Sequence, residues 1–278
     1  MTVALITGGA GFIGSAVARV LAAGGHEVRV AGTSYARDSL AAANLGSFDL
    51  VVHCAGGSSV GASVADPASD FAKTVPPFER VLEHAKAQGA RVVLLSSGAV
   101  YGLASVLPTP ETAAIAPVSP YGVHKRRCEE LLEQSGAAGV VVRLFSVYGP
   151  GLRKQLLWDA CGKARAGEPV FGGTGDEQRD WLHVEDAAAL IARAAEQASA
   201  SVPVFNGGSG QGAHVRDVVG QICRELGAAS PRFTGVVREG DPVRFVAEIA
   251  RARALGWAPR IALTDGISQV VRWFREHA

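Results

Sequence analysis

The chain has 278 residues, 48% of them hydrophobic, and a formal net charge of +1. That length suits one large α/β domain or two small ones around a sizeable core. No run of like charge points to nucleic acid or a membrane surface, and no apolar stretch reaches membrane-spanning length. The first expected strand begins at Val3 and leaves no room for a signal peptide, so a cytoplasmic protein is expected. Cys54, Cys128, Cys161 and Cys223 lie far apart with no C-x-x-C pair. They read as reduced thiols, and no metal site or disulfide framework is expected.

The first strand, Val3–Thr7, runs into Gly8-Gly9-Ala10-Gly11-Phe12-Ile13-Gly14 and then a helix expected over Ser15–Ala23. A glycine turn between a buried strand and a helix is the arrangement that cradles a dinucleotide pyrophosphate on the helix N-terminus. A second strand is expected at Glu27–Ala31 and a third at Leu50–Cys54. The helix Phe71–Ala87 follows, then a strand at Val92–Ser96 and the serines Ser96 and Ser97 at its end. A hydroxyl there stands over the cofactor cleft and can reach a substrate oxygen.

The helix expected at Tyr121–Gln134 opens with Tyr121-Gly122-Val123-His124-Lys125. Spacing by four puts Tyr121 and Lys125 on one face. An ammonium beside a phenol favours phenolate, which suits the tyrosine to exchange a proton with a substrate hydroxyl. A fifth strand is expected at Gly139–Leu144, and Gly149-Pro150-Gly151 then breaks the pattern. Short Val-rich strands alternating with helices predict a Rossmann doubly wound parallel sheet over residues 1–148. Residues 149–278 read mainly as a smaller substrate-binding lobe, with 180–206 returning to the sheet.

With these motifs in place, the chain resembles the extended short-chain dehydrogenases/reductases that act on nucleotide sugars, the epimerase/dehydratase branch. The resemblance rests on Thr7–Gly14, Asp49–Gly56, Ser96–Gly102, Pro120–Lys125, Arg143–Pro150, Arg179–Asp186, Asn206–Gly208 and Gly240–Pro242. It implies that Gly8, Gly11 and Gly14 line the pyrophosphate, with Phe12 and Ile13 at the turn. Ala55 and Gly56 would pass under the adenosine half. Ser97 would be the catalytic hydroxyl, Tyr121 the general acid/base, and Lys125 its partner and ribose ligand. Arg179 and Arg244 would hold the substrate diphosphate by charge-assisted bonds. Ser146, where relatives carry Asn, would border the sugar.

Two departures shape the expected reaction. Where NAD-using relatives end the second strand with an aspartate, this chain has Gly32, followed by Thr33, Ser34 and Arg37. Loss of the carboxylate with gain of hydroxyls and a cation favours NADP over NAD. The acid pair that 4,6-dehydratases of the family place after the strand-end hydroxyl is Gly98-Ala99 here. The reading is therefore a nucleotide-diphosphate-sugar 4-epimerase, with an NADPH-dependent 4-ketosugar reductase as the alternative. A non-catalytic nucleotide sensor is disfavoured because Tyr121 and Lys125 are both present. The resemblance also implies a homodimer through the helices Phe71–Ala87 and Tyr121–Gln134, with Leu82, Leu131 and Leu132 as candidate contacts.

Overall fold

The computed structural model describes residues 2–31, 45–236 and 243–278, so Gly32, Thr33, Ser34 and Arg37 lie outside the described residues. In chain order, β1 (Val3–Thr7) leads through the glycine turn to α1 (Phe12–Ala23) and β2 (Glu27–Ala31). Next come β3 (Leu50–His53), α2 (Val60–Ala65), α3 (Pro67–Gln88), β4 (Arg91–Ser97) and a single 3₁₀ turn, Gly98–Tyr101. They are followed by α4 (Pro120–Ser135), β5 (Gly139–Leu144), β6 (Ser146–Tyr148), α5 (Gln155–Arg165), β7 (Val170–Phe171), β8 (Gln178–His183) and α6 (Val184–Ala195). The chain ends with β9 (Val204–Gly207), β10 (Gly212–His214), α7 (Val215–Leu226), β11 (Arg232–Phe233), β12 (Arg244–Phe245), α8 (Ala250–Ala254) and α9 (Leu263–His277).

Six of these strands form one parallel sheet in the order β2-β1-β3-β4-β5-β9. β3 and β5 are buried at every position, as strands covered on both faces must be, while β2 at the edge is partly exposed. The register aligns Thr7 with Ala31 and with His53, so the carboxyl ends of β1, β2 and β3 open on one side. Helices α1 and α6 pack together over one face, and α3 and α4 pack together over the other. α1 starts three residues before the expected Ser15, because the turn closes at Gly11.

A second, smaller body covers the carboxyl ends of the strands. There β8 pairs with β6, β10 and β12, and α5, α7 and α9 pack around their own apolar cluster. β8 thus belongs to the lobe, whereas α6 and β9, which follow it, pack into the main layers. Asp180 on β8 ties the lobe's loops together. It is buried and accepts from the backbone N–H groups of Ser209, Gly210 and Ala247 and from the Ser209 hydroxyl.

Leu82 and Leu132 do not form a surface patch: both are buried in the chain's own core between α3, α4 and the sheet, and Leu131 is partly buried against it. The apolar side chains exposed on this flank are Val64, Phe71 and Val123. Among the described residues, no helix is long and apolar enough to cross a membrane.

Candidate active site

A cavity of about 740 Å³ lies between the carboxyl edge of the sheet and the lobe. At one end is the glycine turn. Gly8 adopts a positive φ of 67°, its N–H donates to Ala31 O at 2.9 Å, and its carbonyl accepts from Gly11 N at 2.9 Å. A Cβ at Gly14 would overlap that same Gly8 carbonyl, so only glycine lets the helix sit this close to the strand. α1 has no side-chain cap and no acid in its first turn. Its leading N–H groups therefore remain available to an anion, which the positive helix end favours. Gly8, Gly11, Phe12, Ile13, Gly14, Ala55 and Gly56 all line this part of the cavity. This cradle fits the pyrophosphate of a dinucleotide.

Ser97, Tyr121 and Lys125 line the middle of the same cavity. Ser119 caps α4 by accepting from Gly122 N at 3.2 Å, and Pro120 opens the helix, which places Tyr121 in its first turn. The Tyr121 N–H donates to Ser63 Oγ on α2 at 3.1 Å. Lys125 is buried, its Nζ donates to Leu95 O at 3.0 Å, and it stands 5.8 Å from the centre of the Tyr121 ring. Ser97 Oγ accepts from Ala99 N at 3.1 Å, which leaves its own proton to donate. Neighbouring Ser96 is buried, and its hydroxyl has no partner among the described residues.

Two further groups near Lys125 are held neutral. Burial lowers His53 to about 3, with the Lys125 charge adding to the effect, and its Nδ1 shares a 2.8 Å hydrogen bond with the Thr7 hydroxyl. Burial pushes the Cys54 thiol up to about 12 against the pull of Lys125. Cys54 lines the cavity as a thiol, not as a nucleophile.

On the lobe side, Ser146 at the start of β6 and Arg179 and Trp181 on β8 face the cavity. Arg244 does not reach the cavity lining. It pairs in register with Gln178, and its Nε donates to Gln178 Oε1 at 3.0 Å. The 3₁₀ turn after Ser97 is closed to larger side chains. A Cβ at Gly98 would stand 2.6 Å from the Phe245 ring, which stacks on Phe145 at 4.3 Å. The first acid of such a pair has no room at Gly98 as this chain is packed.

Four basic residues that the motifs did not single out also line the cavity: Lys73 and Arg80 from α3, and Lys154 and Lys163 from the lobe. Lys154 Nζ donates to Ser58 Oγ at 2.6 Å, joining the lobe to the loop after β3, and Lys163 pairs with Asp159 at 2.9 Å. Among the described residues, the lining holds six basic side chains and two carboxylates. That excess suits a ligand carrying several phosphates. The only prior signal was the i, i+4, i+7 spacing of Lys73, Pro77 and Arg80, which gives a shared helix face but not its direction.

A parallel Rossmann sheet with a glycine turn and a Ser-Tyr-Lys set under a covering lobe defines a nicotinamide-dinucleotide oxidoreductase of the extended short-chain type. The chain belongs to the NAD dependent epimerase/dehydratase family, whose sequence profile matches residues 4–208. It is 30% identical to the UDP-glucose 4-epimerase of Streptomyces lividans, over 98% of this chain and 96% of that one. Its fold matches the crystal structure of the UDP-glucose 4-epimerase of Thermotoga maritima with UDP-glucose, at a TM-score of 0.89 and 29% identity over 98% of each chain. A similar match is MoeE5 in complex with UDP-glucuronic acid and NAD, with a TM-score of 0.89 and 27% identity over 99% of this chain and 100% of that one.

Proposed function

We propose that this enzyme inverts the C4 centre of a nucleotide-diphosphate sugar, with UDP-glucose, the ligand of its structural relative, as the first substrate to test. The observation that carries the reading is Ser97, Tyr121 and Lys125 on one cavity whose lobe side brings Arg179 and further cations. A nicotinamide cofactor held at the glycine turn would accept hydride from C4 and return it to the opposite face. Tyr121 takes the proton of the C4 hydroxyl and later gives it back, with Ser97 donating to the same oxygen. Lys125 keeps positive charge beside the tyrosine, and Arg179 anchors the diphosphate. Ser146, shorter than the family's Asn, leaves space in which the sugar can turn. Residues 1–148 mainly hold the dinucleotide and residues 149–278 mainly the sugar nucleotide.

The family is NAD dependent; for this chain we propose the 2′-phosphorylated form, NADP, because Gly32 replaces the ribose-binding acid. The same departure supports the second reading, a 4-ketosugar reductase. Purified protein incubated with UDP-glucose and no added cofactor decides between them. Formation of the C4 epimer, followed by NMR, is expected. Turnover only of a 4-keto sugar, with one NADPH consumed per product, would replace this reading by the reductase. We further propose a cytoplasmic homodimer through α3 and α4, whose exposed apolar positions are Phe71 and Val123. Light scattering that finds only monomer at micromolar concentration overturns it.

A further inference from the structure

Arg80 points into the cavity from the fourth turn of α3, on the face it shares with Lys73 and Pro77. Its Nε and Nη2 are buried, and neither has a hydrogen-bond partner among the described residues. A guanidinium with orphaned buried N–H groups is costly unless a ligand completes it. No carboxylate among the described residues does so. The two that line the cavity, Asp159 and Glu177, are on the lobe and already engaged, Asp159 with Lys163 and Glu177 with the N–H groups of Thr174 and Gly175. The described residues thus leave this guanidinium open to an anion from a ligand.

The place narrows the choice. Arg80 lines the same cavity as Ala31, the last residue of β2, and Ala31 O receives the Gly8 N–H. In a Rossmann sheet the adenosine ribose stands at the carboxyl end of the second strand, and the pyrophosphate lies over the glycine turn. NAD offers Arg80 only neutral hydroxyls there. NADP offers a phosphate of nearly two negative charges, which a guanidinium can grip through two parallel bonds.

We propose that Arg80, reaching over from α3 rather than from the loop after β2, receives the adenosine 2′-phosphate of NADP and sets the cofactor preference of this enzyme. The inference rests on the NADP reading above, and the test separates the two. Adenosine 2′,5′-bisphosphate and 5′-AMP, together with NADP and NAD, are titrated calorimetrically into wild type, Arg80→Gln and Arg80→Lys. Wild type is expected to bind each 2′-phosphorylated ligand more tightly than its counterpart. Arg80→Gln should weaken those ligands at least tenfold and change NAD by less than about twofold, since one charge-assisted bond is worth about 1.5–3 kcal/mol. Arg80→Lys should keep part of the preference, having the charge without the fork.

A wild type indifferent to the 2′-phosphate overturns the NADP reading and this assignment with it. A wild-type preference that survives in Arg80→Gln overturns the assignment alone. Equal losses for NAD and NADP would place Arg80 on the pyrophosphate or the adenine and also overturn it. Thermal melting of each variant checks folding. If Arg80→Gln does not fold, Arg80→Lys decides, and a preference equal to wild type counts against the proposal.

Discussion

The Tyr121 hydroxyl has no partner among the described residues, whereas the Lys125 ammonium is already fixed by Leu95 O. In the function proposed above, the lysine is held in place and the tyrosine is the acid/base that meets a substrate oxygen. Removing only that hydroxyl should therefore cost chemistry and not binding. Tyr121→Phe is expected to lower kcat by about 10²–10⁴-fold, the usual worth of positioned proton transfer, with cofactor affinity nearly unchanged. Steady-state kinetics and a cofactor titration on one preparation check both halves. A variant that keeps more than about half of wild-type kcat would remove Tyr121 from the role. Tyr121 and Lys125 were legible in the sequence because a spacing of four within one helix is a local fact. Arg80 and Lys154 were not, since a lysine or arginine on a helix or loop usually faces water, and only docking against distant elements turns these two inward.

At the scale of elements, α4 carries the proposed catalytic pair, and a buried ion pair holds α4 in place. Arg143 on β5 donates two bonds to Glu129 on α4, at 2.9 and 2.8 Å, and a third to Tyr101 Oη, which in turn donates to Asn206 on β9. Glu129 is fully buried and Arg143 almost so. Removing Glu129 leaves the Arg143 charge stranded, which typically costs about 3–5 kcal/mol, while replacing both with apolar residues of similar size is often nearly neutral. Glu129→Leu is therefore expected to lose stability of that order, and Glu129→Leu with Arg143→Met to recover most of it. Urea denaturation of the single and double variants measures this, and simple additivity of the two losses would refute the coupling. Sequence spacing placed α4 and β5 correctly to within a residue or two. It could not show that residues fourteen apart in sequence, Glu129 and Arg143, meet as a pair.

For the molecule as a whole, pH is the informative variable. Burial lowers His53 from its ordinary 6.5 to about 3, and His183 is lowered by burial too. Below pH 6.5 the unfolded chain takes up a proton that the folded chain refuses. This contribution to stability is therefore present at neutral pH and lost progressively as pH falls from 6.5 toward 3, at up to about 1.4 kcal/mol per pH unit for His53. Glu111 and Asp180, raised by burial, act with the opposite sign where they titrate. Urea midpoints at pH 7, 6 and 5 should fall steadily, and His53→Gln should flatten the slope. An unchanged slope in that variant would show that His53 is not the group responsible.

By itself the sequence determined the parallel strands, the glycine turn, the Tyr-x-x-x-Lys pair and the family. Each depends on contacts within a few residues or on an apolar pattern that any buried strand must show. The tertiary structure decided which cations face the cavity, that Arg244 turns to Gln178 instead, that Leu82 and Leu132 serve the chain's own core, and that Gly98 is closed by a phenylalanine from β12. These outcomes rest on residues far apart in sequence. A helix presents several faces of similar polarity, and packing against the rest of the chain selects one of them.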